Sequence, residues 1–486
     1  MNAVQDIVAK LWRLCAILRK DGITYQQYVT ELTYLLFLKM MQEKGKDGEV
    51  IPGKYRWREL MRMEGKPKLD HYRDLLANIG SESRSRTVTA IFENANTFIR
   101  EPKNLDALTT AIDELHWFTD ERDSFGDLYE GLLQKNAEET KRGAGQYFTP
   151  RPLITVMTRL MAPQAGETIQ DPAAGTGGFL IAADTLIREA TDDYFELDTS
   201  GQTFQANRAY QGIENVPGVF RLLLMNLQLH GVGTDRIDLA STLAPHGAGL
   251  DKADLILTNP PFGPAGGKPT RDDFTETHSV SSYQLPFVEH CIRALKPGGR
   301  AAVIVPDNVL FEDGRGKALR RMLMNWCDLH TILRLPTGIF YAQGVKTNVI
   351  FFTRGQDQDG NTPDVWVYDL RANMQKFGKT AQLREDHFAD FEAAFGADPL
   401  GRAARQDEGE EGRFRRFTRE EIAARGDNLD ITWLRDDEED PDEGLDDPDD
   451  IAAAILGHLG EAMREIEALS AELAGDQLDV VEVAAE

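Results

Sequence analysis

Thr168-Ile169-Gln170-Asp171-Pro172-Ala173-Ala174-Gly175-Thr176-Gly177-Gly178-Phe179 reads as a short strand, a glycine-rich turn and the start of a helix that continues through Leu180–Ala190. Closely spaced glycines at a strand-to-helix turn let a ligand approach the backbone and the helix N-terminus. The spacing is not the dinucleotide fingerprint, and a plain tight turn competes with a binding loop as long as nothing else matches. From about 145 to 355, β-type runs at Ile213, Leu255–Thr258, Ala301–Pro306 and Val349–Thr353 alternate with helical stretches. That alternation predicts an α/β domain with a mostly parallel sheet and helices on both faces. Ligands of such sheets sit beyond the carboxyl ends of the strands.

Two later strand ends carry suitable polar residues. Glu214 closes the run Gly212-Ile213-Glu214, and an acid at the end of the second strand suits the two hydroxyls of a ribose. Its distance from the glycine turn exceeds the roughly 20 residues of the dinucleotide motif, and the polar stretch Thr191–Arg208 reads as an insertion that accounts for the difference. Alone, Glu214 would be an ordinary surface acid. Asn259-Pro260-Pro261-Phe262 directly follows the strand Asp254–Thr258. Consecutive prolines cannot continue a ladder and hold the backbone extended. The Asn259 amide oxygen and the Pro260 carbonyl are left as fixed acceptors beside an aromatic ring. Such a site can grip an exocyclic amino group and stack on the flat base that carries it. A simple strand-ending turn is the plain alternative, and it loses force because glycine turn, acid and Asn-Pro-Pro-Phe occur in this order.

Away from this core the texture changes. Residues 1–140 read as an all-helical domain: Val4, Ile7, Val8, Leu11, Trp12, Cys15 and Leu18 recur at helical spacing, and Leu32–Met41 forms a second, more buried helix. Further helical stretches around Arg73–Leu76, Leu105–Leu115 and Phe125–Leu133 are separated by breaks such as Pro52-Gly53 and Gly65-Lys66-Pro67. Residues 141–400 form the α/β domain. After about 400 the chain is loop-like and charged, a linker region over 401–450 in which Asp436–Asp450 holds eleven acids and no base. Within the last segment, 451–486, Ala452, Ile455, Leu459, Ala462, Ile466, Leu469 and Leu473 form a heptad seam about three heptads long. That seam packs either on its own domain or on a partner chain.

The chain has 486 residues, 41% hydrophobic and 28% charged, which suits a soluble protein of two or three domains. Its longest apolar stretch, Leu32–Met41, is interrupted by Thr33 and Lys39 and falls short of the roughly 20 apolar residues of a membrane span. The amphipathic N-terminus, with Asp6 and Lys10, lacks the layout of a signal peptide, so a cytoplasmic protein with no membrane attachment is expected. Cys15, Cys291 and Cys327 are too few and too scattered for a disulfide framework or a metal knuckle. The net charge of −26 is uneven: residues 401–486 hold 27 acidic and nine basic side chains, leaving 53 acids against 45 bases in residues 1–400. The body of the chain neither excludes nucleic acid nor marks itself as an obvious binder of it.

Taken together, these motifs resemble the N6-adenine DNA methyltransferases, with Asp171–Phe179 as the cofactor motif and Asn259–Phe262 as the catalytic one. Gly145-Gln146-Tyr147-Phe148-Thr149-Pro150-Arg151 is similar to the family segment over the methionine part of S-adenosylmethionine, and its place before the glycine turn gives the order of the γ class. More narrowly, the chain resembles the methylation subunit of type I restriction-modification systems. The match lies in Phe125-Gly126-Asp127-Leu128-Tyr129-Glu130, Leu335-Pro336-Thr337-Gly338-Ile339-Phe340, Gly344-Val345-Lys346-Thr347-Asn348 and Asn428-Leu429-Asp430-Ile431. The resemblance spans nearly the whole chain. It implies a Rossmann-like S-adenosylmethionine-dependent methyltransferase sheet between a helical N-terminal domain and a C-terminal helical tail. It also implies that the cofactor is held by Gln146, Tyr147, Phe148, Thr149, Pro150, Arg151, Asp171, Gly175, Thr176, Gly177, Gly178 and Glu214. The family's contact to the cofactor adenine is an Asp or Asn before a Thr/Ser-Leu pair. Here it falls on Ser241, in Ala240-Ser241-Thr242-Leu243, with Asp238 close by as the other candidate.

The implied reaction is site-specific methylation of adenine N6 in double-stranded DNA, on a base flipped out of the stack. Asn259 and the Pro260 carbonyl would accept from the amino group, Pro261 would help hold the motif extended, and Phe262 would stack on the base. The reaction needs no metal. Only 134 residues follow Phe352, which leaves little room for a target-reading domain. Reading of the target is therefore expected from a separate specificity subunit, with two methylation subunits to each, alongside a restriction/translocase subunit where one exists. A glutamine or ribosomal methyltransferase with a similar Asn-Pro-Pro-aromatic motif, and a catalytically idle assembly subunit, are the competing readings.

Overall fold

The computed structural model describes residues 22–114, 149–340, 345–375 and 381–434, together with 10–13, 15, 18, 131–132 and 377. The motif stretches at 125–130 and 145–148, the acidic run 436–450 and the heptad seam 452–473 lie outside the described residues.

In the N-terminal region the helix Tyr25–Glu43 opens on a reciprocal cap. Thr24 Oγ1 accepts from the Gln27 amide at 3.2 Å, and Gln27 Oε1 accepts from the Thr24 amide at 2.9 Å. Residues 31–41 are all buried, so the polar groups that interrupt the apolar run must find partners inside. Thr33 bonds back to the Val29 carbonyl at 2.6 Å, and Lys39 pairs with Glu43 at 2.7 Å and Asp113 at 2.8 Å. Helices Gly65–Glu82 and Pro102–Asp113 pack against each other, and the second also packs on Tyr25–Glu43. The break expected at Gly65-Lys66-Pro67 is instead the first turn of Gly65–Glu82, where a proline has no intrahelical N–H bond to lose.

Among the described residues nine strands form one sheet: β1 Ile169–Asp171, β2 Tyr210–Glu214, β3 Ile237–Leu239, β4 Ala253–Thr258, β5 Leu295–Pro306, β6 Cys327–Arg334, β7 Thr347–Arg354, β8 Asp364–Asp369 and β9 Phe414–Thr418. Their spatial order is β3-β2-β1-β4-β5-β7-β6-β8-β9. Five of the eight pairings are parallel; β7 runs antiparallel between β5 and β6, and β9 antiparallel to β8. The α/β sheet is thus mostly parallel, as expected. Alternate residues of one strand fall in two separate apolar clusters. Ala302, Ile304, Val349 and Phe351 belong to one, and Ala301, Val303, Ile350 and Phe352 to the other. Both faces are covered, which is why these strands read as continuous apolar runs and not as alternating ones. Helices Arg151–Met161, Gly178–Ala190 and Pro217–His230 contribute to the first cluster, which continues into the N-terminal helices. Helices Gln284–Ala294 and Arg315–Trp326 contribute to the second.

The loop-like chain expected after about 400 is corrected by β9 and the helix Arg419–Ala424. In β9 only Phe414 is buried, and Arg416 pairs with Asp364 of β8 at 2.6 Å. Charged side chains on an edge strand discourage further pairing, and here they mask the strand's period. The chain then returns to the sheet, where Arg334 of β6 donates to the Asp430 carboxylate at 2.7 Å and the Ile431 carbonyl at 2.9 Å. Among the described residues no helix is long and apolar enough to cross a membrane.

Helix Pro217–His230 joins the two regions. Arg221 donates to the Ile91 and Glu93 carbonyls at 2.7 and 2.9 Å, and Lys44 Nζ donates to the Leu229 carbonyl at 2.6 Å. From the same helix, Asn226 donates to the Thr176 carbonyl in the glycine turn at 2.8 Å.

Candidate active site

β1 pairs with β2 on one side and β4 on the other, so the sheet grows in opposite directions from this point. A crevice opens there, beyond the carboxyl ends of the strands. Parallel register sets Asp171 beside Gly212 and Glu214 beside Leu239, which brings the ends of β1, β2 and β3 to one rim. The resulting cleft is lined by Thr149, Arg151, the turn Pro172–Thr176, Glu214, Ala240–Leu243, Asn259 and Pro261, among others.

The glycine turn needs its glycines for two reasons. Gly175 and Gly177 have φ of +54° and +89°, where a side chain is strained. A Cβ on Gly177 would also lie 2.8 Å from Leu223 Cδ1, and one on Gly178 2.7 Å from Ile154 Cδ1. Gly177 caps the helix Gly178–Ala190, so the helix N-terminus points at the cleft floor. Opposite it, Glu214 is buried and accepts from the Gly175 amide at 3.1 Å and the Val216 amide at 2.8 Å. Burial nevertheless raises its carboxyl above the ordinary range, against the pull of those amides. Asp171 accepts from Thr258 Oγ1 at 2.7 Å and from the Ala173 amide at 3.1 Å. Its burial, with the Glu214 charge adding, pushes it up to about 7. A positively charged occupant of the cleft would favour the ionised form of both carboxyl groups against that burial.

The other rim is built differently. Asn259 stands one residue past β4 and donates from Nδ2 to Thr149 Oγ1 at 3.0 Å. Its Oδ1 is buried and has no partner among the described residues. A buried acceptor without a donor costs about 1–3 kcal/mol, a cost that a donor entering the cleft would relieve. Pro260 is buried, whereas Phe262 is half-buried and packs on the edge of the main apolar cluster without lining the cleft.

Sequence and structure can be matched residue by residue. Thr149, Arg151, Asp171, Gly175, Thr176, Gly178, Glu214, Ser241, Asn259 and Pro261 line the cleft. Pro150 caps the helix Arg151–Met161, and Gly177 shapes the turn without facing the cavity. Gln146, Tyr147 and Phe148 lie outside the described residues. Asp238 does not line the cleft; its carboxylate lies 3.3 Å from both Arg86 and His246. The sequence reading missed Ile154, Asn215, Tyr283 and Phe287, which also line it. Asn215, next to Glu214, could have been found from the strand end alone; the two aromatic residues arrive from a distant segment with no local signature.

Comparison with known proteins gives a consistent result. Residues 120–442 match the model of the family described as N-6 DNA Methylase, and residues 7–115 match the HsdM N-terminal domain. The chain is 48% identical over 513 residues to the type I restriction enzyme StySPI methylase subunit of Salmonella potsdam, covering 98% of this chain and 96% of that protein. It is also 48% identical to the EcoKI methylase subunit of Escherichia coli K12 over 514 residues, 98% of this chain and 97% of that one. A solved chain from work on complex assembly and conformational transition of the type I R-M system superposes with a TM-score of 0.71 at 27% identity, covering 98% of this chain and 99% of its own.

Proposed function

The chain belongs to the N-6 DNA methylase family as a methylase subunit of type I restriction enzymes, and we propose that its cleft holds S-adenosylmethionine while Asn259–Phe262 receive the target adenine. It is an adenine-specific DNA methyltransferase, and it acts with DNA and other subunits of its system. The observation that carries the site assignment is Asn259: its amide nitrogen is tied to Thr149, and its oxygen is buried and unpartnered at the rim of an acidic, glycine-walled cleft.

The residues present fit the cofactor. Gly175 and Gly177 give the turn beside the cleft the positive φ it needs, and Asp171 and Glu214 suit a molecule that carries positive charge on a sulfonium and an ammonium group. Glu214 would take the ribose hydroxyls, Ser241 the adenine ring, and Gln146–Arg151 the methionine end; Asp238, already engaged by Arg86 and His246, is the weaker candidate for the ring. When bound, S-adenosylmethionine supplies an electrophilic methyl group. The chain's own work is on the acceptor, whose amino lone pair is delocalised into the base. Accepting hydrogen bonds at Asn259 Oδ1 and the Pro260 carbonyl draw that nitrogen toward a tetrahedral shape and aim its lone pair. Phe262 stacks on the flipped base and offsets about 1–3 kcal/mol of lost stacking.

We divide the chain into a helical N-terminal domain to about 140, a catalytic domain reaching through β9, an acidic linker and a C-terminal helix at 451–486. The heptad seam of that helix buries itself on the specificity subunit that reads the target, two methylase subunits to each. The complex acts in the cytoplasm. The test is to co-express the full chain, and a chain ending at 450, with the specificity subunit encoded alongside, and to map transfer of labelled methyl. The full pair is expected to modify N6 of one adenine in a defined sequence, and the shortened chain to lose the partner. Methyl groups on protein but not on DNA would overturn the site assignment. A shortened chain that still co-purifies would move the interface to the N-terminal helices.

A further inference from the structure

Residues 263–283, between the catalytic motif and the helix Gln284–Ala294, add no strand to the main sheet, yet buried side chains pin them in place. The Gly263 amide donates to Gln284 Oε1 at 3.1 Å. Glu289, fully buried, accepts from the Thr275 and Thr277 amides at 2.8 Å each and from Thr277 Oγ1 at 2.7 Å. The third anchor is Arg271, only 5% exposed. Its Nε and Nη2 hold both oxygens of Asp273 at 2.9 and 2.6 Å, and its guanidinium lies 4.3 Å from the centre of the Phe274 ring.

The remaining nitrogen of Arg271, Nη1, leaves the segment. It donates to the Thr242 carbonyl at 3.1 Å and to His290 Nδ1 at 2.7 Å. A guanidinium has only donors, so His290 Nδ1 must accept and Nε2 must carry the proton, which it donates to Gln170 Oε1 of β1 at 2.9 Å. Burial and the Arg271 charge push this imidazole down to about 3, so it stays neutral. Beside Arg271, the Thr270 amide donates to the Leu243 carbonyl at 3.0 Å. From the other side, the Thr242 hydroxyl donates to the Pro172 carbonyl of the glycine turn. The strap Ser241-Thr242-Leu243, which walls the cleft, is therefore held between the glycine turn and the segment that follows the catalytic motif.

We propose that Arg271 is a positioning residue for cofactor binding: through the Thr242 carbonyl it sets the strap that forms one wall of the cleft, and through Asp273 and Phe274 it ties that wall to the catalytic motif's own segment. Arg271 does not line the cleft, so it acts through the strap. The inference rests on the reading of the cleft as the S-adenosylmethionine site.

Calorimetric titration of the full chain with S-adenosylmethionine and S-adenosylhomocysteine separates this role from a merely structural one. A structural role would lower the number of binding-competent molecules and leave Kd unchanged. Positioning keeps the stoichiometry and weakens Kd, by about tenfold for Arg271→Met. Arg271→Lys keeps a cation that can reach one acceptor but not the fork geometry, and should recover part of that loss, to about threefold from wild type. Asp273→Asn leaves Arg271 in place while loosening its clamp; it is expected to weaken Kd by about threefold and serves if Arg271→Met does not fold. Unchanged Kd at full stoichiometry in every variant that folds would overturn the proposal. Failure of the wild-type chain to bind either ligand would overturn the reading of the cleft instead.

Discussion

The two rims of the cleft are finished to different degrees. On the glycine-turn side, the Gly175 amide, the Glu214 carboxylate and the Thr176 carbonyl all have protein partners before any ligand arrives. On the catalytic side, Asn259 has one end of its amide tied down and the other left open, and Phe262 is only half-buried. A pocket that binds the same small molecule at every turnover gains from being built in advance, because ordering it on binding would cost affinity. On the proposed reading, a base that must leave a duplex would meet a site with one orienting bond and one open acceptor, so the interaction would form only with the reacting group.

The largest expected effect breaks the catalytic rim alone. Asn259→Ala removes the vacant acceptor and should lower methyl transfer by about 10²–10³-fold or more, the scale of losing one transition-state hydrogen-bonding group. Cofactor Kd should stay within about threefold, since the glycine-turn rim is untouched. Equal loss of cofactor binding would mean that the two rims are one site. Phe262→Ala is the next largest, with activity expected to fall by about 10- to 100-fold, whereas Phe262→Tyr or Trp keeps measurable transfer. A fully active alanine variant would leave Phe262 as packing at the cluster edge and nothing more.

The smallest effect sharpens the comparison from the glycine-turn side. Burial raises Asp171 from 3.8 to about 7, so the folded chain disfavours its charged form, and the group costs stability progressively as pH rises from about 4 to 7. A cation in the cleft favours that charged form. Cofactor affinity should therefore rise several-fold between about pH 6 and 8, with proton release on binding in the lower half of that range. Calorimetry in buffers of different ionisation enthalpy measures the released proton. Asp171→Asn should flatten the slope, and a flat profile in the wild-type chain would place the cation elsewhere.

The glycine turn and Asn-Pro-Pro-Phe were legible because backbone conformation dictates residue type there: positive φ calls for glycine, and a stopped ladder suits proline. Strands β5 and β7 were legible because both their faces are apolar. β6 was not, because Asp328, His330, Thr331 and Arg334 interrupt it, and only tertiary partners such as Asp430 for Arg334 make that burial tolerable. β9 was hidden by its two arginines. Tyr283 and Phe287 reach the cleft through the segment 263–283, whose course depends on buried Arg271 and Glu289 and not on any local pattern. The insertion before β2 reads only as a polar stretch, because its helix Thr199–Asn207 carries one buried residue, Gln205.

Helix Pro217–His230 has work on both sides: Leu223, Asn226 and Leu227 against the glycine turn, Arg221 and the Leu229 carbonyl against the N-terminal helices. In inheritance terms it belongs to two modules at once. A chimera that takes its N-terminal region from a relative and its catalytic sheet from this chain cannot be joined cleanly near residue 140. This helix has to match both parents, and the seam between them runs through its axis.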